Sequence, residues 1–97
     1  MRRLEFTPRV RRDIEEIWDY SADQFGLDKA DAYLRDIERA ATTVTDDPRR
    51  GLVCDEIRSG YRKLSVGSHV LFFKASATRV VIVRILHRRT DFGRHIR

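Results

Sequence analysis

The sequence has one cysteine, one methionine, one tryptophan and two prolines in 97 residues, and each scarcity excludes something. With a single thiol, Cys54, no internal disulfide can form, so the fold must rest on its core, and a cytoplasmic setting is expected. Asp55 and Glu56 follow that thiol; neighbouring carboxylates disfavour a thiolate, so Cys54 is expected as an unreactive residue in a polar loop. No run approaches the roughly 20 apolar residues of a membrane span. Met1-Arg2-Arg3 leads into Leu4-Glu5-Phe6-Thr7-Pro8, not into the apolar centre of a signal peptide. No glycine-rich loop precedes a helix to cradle phosphate, and neither C-x-x-C nor H-E-x-x-H spacing occurs. The three histidines, His69, His87 and His95, lie far in sequence from the carboxylates of the first half. No metal, cofactor or small-molecule ligand is expected.

Acidic residues run short only in the second half. Residues 1–48 carry 8 Lys/Arg and 12 Asp/Glu, a balance of −4; residues 49–97 carry 12 and 3, a balance of +9, which together give the net +5. Seventeen of the 20 basic residues are arginine, whose planar fork pairs with carboxylate or phosphate in two places at once. The second half is therefore expected to meet an acidic partner, either nucleic acid or an acidic protein segment. Its aromatics are Tyr61, Phe72, Phe73 and Phe92, of which Phe72 and Phe73 read as core, so a platform for stacking on bases is thin.

What is present reads as one α+β domain over residues 1–97. Residues 2–6 alternate as a short strand. Thr7 and Pro8 form a helix start, cap then first position, and Val10, Ile14, Ile17, Trp18, Ala22 and Phe25 follow at helical spacing. Trp18, in the middle of that stripe, is expected to anchor the core, while Asp13, Glu15, Glu16, Asp19 and Asp23 take the solvated face. Gly26 falls just past the helix end, Asp28 caps a second helix, and Ala30, Tyr33, Leu34, Ile37, Ala40, Ala41 and Val44 form its stripe until Asp46-Asp47-Pro48 stops it. Two amphipathic helices joined this tightly imply an antiparallel helical hairpin. Residues 49–60 read as an arginine-rich loop with a possible short strand near Glu56–Arg58. Strands then follow at Tyr61–Val66, His69–Ala75 and Val80–His87, the first two joined by Gly67-Ser68. The order β-α-α-β-β-β predicts the helical hairpin packed on an antiparallel sheet.

Val70-Leu71-Phe72-Phe73 and Val80-Val81-Ile82-Val83 do not alternate, as strands buried on both faces do not. The helices can cover one face only. The other requires a cover, either a partner chain or the C-terminal tail folded back, and an uncovered face would make the isolated chain prone to self-association.

Among catalytic options, a metal-independent ribonuclease needs a general base, a general acid and cations against the developing phosphorane charge. Arg62, Arg84, His87, Arg88 and Arg89 are the residues on hand. The alternative for this group is structural: Arg84 paired with a helix carboxylate and His87 ending a strand. No serine or cysteine stands out with a positioned base.

The chain resembles ParE-type toxins of the ParE/RelE superfamily over nearly its whole length. The resemblance rests on Thr7-Pro8, the run Asp13 to Tyr20, Gly26, the stripe Ala30–Tyr33–Leu34, Asp47-Pro48-Arg49, the segment Asp55 to Arg62, Val66 to Phe73, and Val83 to Asp91. The family pattern L-H-x-R-M-D is matched at Leu86-His87 and Arg89, with Thr90 in the place of methionine. The resemblance implies a RelE/ParE-like fold and a toxin of a type II toxin–antitoxin system, neutralised by a ParD-like antitoxin and acting by binding DNA gyrase without catalysis. The RelE branch implies the alternative, a ribosome-dependent mRNA endoribonuclease, but no Tyr stands in the tail after Arg88-Arg89. On the ParE side, Arg58, Arg62, Val70, Phe72, Arg84, Leu86 and Arg88 are expected antitoxin contacts, and His87, Arg89, Asp91 and Arg94 are candidate target contacts.

Overall fold

Thr7 opens the helical part of the chain: in the computed structural model, which describes residues 1–96, its hydroxyl accepts the Val10 N–H at 3.1 Å, and Pro8 takes the first helical position. Helix α1 (Pro8–Phe25) runs to Gly26, whose φ of 92° only glycine adopts at little cost. That one residue ends α1, with its N–H on the Ala22 carbonyl, and starts helix α2 (Leu27–Asp46), with its carbonyl accepting the Ala30 N–H. Asp28 is thus inside the first turn of α2 and not its cap. Asp47 accepts the Arg49 N–H and turns the chain into a single 3-10 turn, Pro48–Arg50.

The sheet has five strands, β1 (Arg3–Phe6), β2 (Leu52–Val53), β3 (Arg62–Val66), β4 (His69–Ala75) and β5 (Arg79–His87), in the order β1-β5-β4-β3-β2. The α+β class and the helical hairpin on a sheet stand as expected. Two details differ. The sheet is mixed: β1 pairs parallel to β5, because the helical hairpin carries the chain back across the sheet before the meander begins. The extra strand lies at Leu52–Val53, not at Glu56–Arg58, where paired turns fold the loop back: the Cys54 N–H reaches the Tyr61 carbonyl, and the Cys54 carbonyl accepts from Ile57 and Arg58. A short helix α3 (Phe92–His95) ends the described chain.

Both faces of the sheet are buried, which explains the missing alternation. Leu71 and Phe73 of β4, with Val80, Ile82 and Ile85 of β5, pack under Val10, Ile37, Ala41 and Val44 of the helices. Val70, Phe72 and Leu86 point the other way, beneath Cys54, Ile57, Tyr61, Phe92 and Ile96. Phe92 meets Phe72 edge to face at 4.9 Å. The expected uncovered face is therefore closed by this chain itself, by the tail together with the 54–61 loop. Cys54, expected in a polar loop, has no exposed surface. Burial and the adjacent Glu56 carboxylate push its thiol above the ordinary range.

Trp18 corrects another expectation. It lies half-buried at the seam of the two helices, where its indole N–H donates to Asp31 Oδ1 at 2.9 Å, and is not a centre of the core. Phe25, placed on the apolar stripe, is 62% exposed. Phe73→Ala should therefore cost about 3–5 kcal/mol, whereas Trp18→Ala should cost about 1 kcal/mol. Urea unfolding of both variants checks the order; equal losses would return Trp18 to the core.

Candidate functional site

Strand β1 stops at the pair Phe6↔Ile82, but β5 runs on to His87. The edge of β5 beyond Ile82 has no strand beside it, and α1 supplies a carboxylate instead. Asp13 Oδ2 accepts the Ile85 N–H at 3.1 Å and Arg84 Nε at 2.7 Å, while Oδ1 accepts Arg84 Nη2 at 3.1 Å. Arg84 Nη1 donates to the His95 carbonyl at 3.3 Å, tying the tail to the same junction. The Asp13 side chain is 4% exposed and that of Arg84 13%. Asp13 is thus not on the solvated face where the sequence placed it. Its position three residues after Val10 and four before Ile17 is on the apolar stripe itself, a signal of a buried carboxylate that needed a partner. A register shift between Phe72 and Phe73 leaves Val83 without a partner across the ladder, re-aiming the strand beside Arg84.

Tyr33 forms a second junction, between α2 and the turn from β3 to β4. Its hydroxyl lies 3.0 Å from the Val66 carbonyl, 3.1 Å from the Ser68 N–H and 2.6 Å from His69 Nδ1. Gly67, with φ 56°, lets the turn close over the ring; a Cβ there would lie 2.5 Å from Tyr33. Across the ladder His69 faces His87, ring centroids 5.4 Å apart and edge to face, and His87 Nδ1 accepts the Arg89 N–H at 3.2 Å. Burial raises the Tyr33 phenol above its ordinary value and, with the neighbouring His87, lowers His69.

These junctions border one open cleft of about 980 Å³ between the helical hairpin and the end of β5. Ile17, Tyr20 and Phe25 line its helical wall; Arg84, His87 and His95 line the other. Tyr20 and Phe25 are 65% and 62% exposed, apolar surface available to a partner.

The residues singled out from the sequence fall into three groups. Val70, Phe72 and Leu86 lie in the second core, under the chain's own cover. Arg84 is held by Asp13, as the structural alternative for it required. The rest are at the surface, apart from the half-buried Arg62. Arg58 stacks on Tyr61 at 5.5 Å, Arg62 donates to the Gly51 carbonyl at 3.0 Å, and the Arg88 backbone N–H meets the Ser68 carbonyl. His87 and Arg89 are exposed at the end of β5, and Asp91 lies 3.8 Å from Arg94 at the start of α3. Arg62 faces Phe73 and His87 faces His69, so four residues of β4, about 13 Å, separate them. Asp13, Tyr33 and His69 were not read as site residues from the sequence. Among the described residues no group of three or more His, Cys, Asp or Glu could hold a metal, and no helix is long and apolar enough to cross a membrane.

A family profile described as ParE toxin of type II toxin-antitoxin system, parDE, matches residues 4–92. The toxin ParE1 of Mycobacterium tuberculosis is 43% identical over 95 residues, 97% of each chain. The toxin ParE1 of Caulobacter vibrioides is 30% identical over 96 residues, 99% of each. Two solved structures share the fold. A chromosomal ParDE toxin–antitoxin system from P. aeruginosa aligns with TM-score 0.78 at 21% identity, covering 90% of this chain and 96% of that one. A YoeB/ParE toxin from Agrobacterium tumefaciens aligns with TM-score 0.60 at 14% identity, covering 89% and 98%.

Removing the Asp13 carboxylate strands a buried guanidinium and the Ile85 N–H, so Asp13→Ala should cost about 3–5 kcal/mol. Chemical denaturation checks this; a loss below about 1 kcal/mol would mean that Arg84 finds solvent instead. For His69 the sign follows from its lowered value. An unfolded histidine takes its proton near pH 6.5, and the folded one resists until lower pH. Stability should therefore fall as pH drops below about 6.5 and level off below the folded value. Melting curves between pH 8 and 5 should show this decline in the wild type and a flatter profile in His69→Gln.

Proposed function

The chain belongs to the ParE toxin family of type II toxin–antitoxin systems, and from that premise we propose that it arrests growth by binding DNA gyrase, without catalysis, until a ParD-like antitoxin neutralises it. Its setting on this reading is the cytoplasm, where gyrase works. The observation that carries the non-catalytic part is the disposal of the ribonuclease candidates. Arg84 is held by a buried carboxylate, and Arg62 stands about 13 Å along β4 from His87. A phosphoryl-transfer site needs its base, acid and cations converging on one phosphate; with Arg62 apart from His87 and Arg84 engaged by Asp13, this supports a reading without catalysis.

On the target side, His87, Arg89, Asp91 and Arg94 are the proposed gyrase contacts, since all four lie at the surface on one stretch of chain. For the antitoxin, Arg58, Arg62 and Arg88 are proposed as contacts, together with Arg84 in the wall of the cleft. Contact at Val70, Phe72 and Leu86 requires Phe92 and Ile96 to move aside. An antitoxin segment with acidic residues would answer the +9 balance of the second half, and such rim charges tune association rate and salt dependence more than affinity.

The purified chain should inhibit supercoiling by reconstituted gyrase, and added antitoxin should restore it. Arg89→Gln with Arg94→Gln should weaken inhibition at least tenfold while leaving the melting temperature close to that of the parent. Site-specific cleavage of mRNA in a purified translation reaction, with gyrase unaffected, would replace this function by a RelE-type ribonuclease.

A further inference from the structure

The sheet ends at β1 on one side and β2 on the other. Edge strands are usually guarded by proline, lysine, a bulge or extreme shortness. β2 has only two residues, whereas β1 has four, with no proline, lysine or break in its register. In the ladder with β5, the Arg3 N–H donates to the Thr78 carbonyl and the Thr7 N–H to the Ile82 carbonyl. Backbone groups alternate in direction along a strand, so Arg3, Glu5 and Thr7 turn theirs toward β5, and Leu4 and Phe6 turn theirs outward. Among the described residues those outward groups have no hydrogen-bond partner. The Leu4 and Phe6 side chains pack against the helix-side core, and those of Arg3 and Glu5 lie on the other face, 78% and 37% exposed.

We propose that β1 is a self-association edge, on which β1 of a second copy of this chain pairs antiparallel about a two-fold axis at Leu4. Three registers set outward groups against outward groups. Centred on Leu4, the two Leu4 residues exchange both backbone hydrogen bonds, and Arg3 of each copy stands opposite Glu5 of the other. Centred on Glu5, the two Glu5 carboxylates face each other, and like charges directly opposite are destabilising. Centred on Phe6, Leu4 of each copy meets Pro8 of the other, which has no N–H and already belongs to α1. The occupant is a second copy because Arg3-Leu4-Glu5, run backwards, sets plus against minus at both flanks. A uniformly acidic segment would set a carboxylate against Glu5. Within one chain Arg3 and Glu5 meet only loosely, at 3.7 Å. Two apart on one strand, their Cα atoms are about 6.6 Å from each other; directly opposite across a non-hydrogen-bonded pair they approach to about 4.5 Å. A contact this short belongs with small transient interfaces, with a dissociation constant on the order of 100 μM.

Sedimentation velocity from about 10 μM to about 1 mM should show monomer giving way to dimer. Arg3→Glu and Glu5→Arg each set like charges opposite one another, and each should weaken the dimer at least tenfold. The double variant Arg3→Glu/Glu5→Arg restores the complement and should recover most of the loss, with melting curves confirming that all three variants fold. Register has its own readout. Cys54 is buried, so an oxidised mixture of Arg3→Cys and Glu5→Cys chains should yield a disulfide-linked heterodimer faster than either chain links to itself. A wild type that stays monomeric over the whole range, a double variant no better than the single ones, or equal linking in mixed and unmixed samples would overturn the proposal. Protection of the Leu4 and Phe6 amides from exchange only when an antitoxin is added would overturn it too and give the edge to that segment.

Discussion

The carboxylate of Asp13 substitutes for a strand. β5 extends past the end of β1, and an exposed strand edge must be paired, covered or charged. Here one side chain accepts the orphaned Ile85 N–H and at the same time holds Arg84, which in turn reaches the tail carbonyl of His95. The helical hairpin, the last strand and the C-terminal segment are thereby fixed to one another at a single buried ion pair. Burying two charges costs several kcal/mol of solvation, and the bidentate geometry with the extra backbone donor offsets it. The gap left above β1 becomes the cleft.

The two-sided burial of the sheet sets the second constraint. Leu71 and Phe73 go to the helices, Val70 and Phe72 to the loop and tail. A small domain gains by using both faces, because a one-sided sheet of this size buries little apolar area. The result is a chain whose large exposed apolar residues, apart from Met1, lie on the helical hairpin and the short strand β2, at Tyr20, Phe25, Leu27, Leu52 and Val53, not on the broad face of the sheet.

Much of this was legible in the sequence. Thr7-Pro8 and Gly26 marked the helix boundaries because caps and positive φ leave a local chemical record. Gly67-Ser68 marked the β3–β4 turn for the same reason. The non-alternating strands announced two buried faces, and a tail folded back is one of the two covers they allow. What failed was whatever depended on long-range partners. Asp13 was read as solvated because its partner lies 71 residues away. Tyr33 read as plain stripe because the turn it holds is 35 residues on. Trp18 was overvalued because periodicity gives the side of a helix but not how far along it the sheet extends. Family membership, by contrast, was carried by short pieces in the right order, and those survive without knowledge of contacts.

Because the first strand lies beside the last, the chain also has an order in which it can fold. The helical hairpin and the β3–β4 and β4–β5 turns close short loops and can form early, whereas β1 against β5 and Asp13 against Arg84 must wait for ends 71 or more residues apart in sequence to meet. The cleft is assembled by those late contacts. A partly folded chain therefore lacks the cleft altogether, and whatever binds there meets only the finished fold.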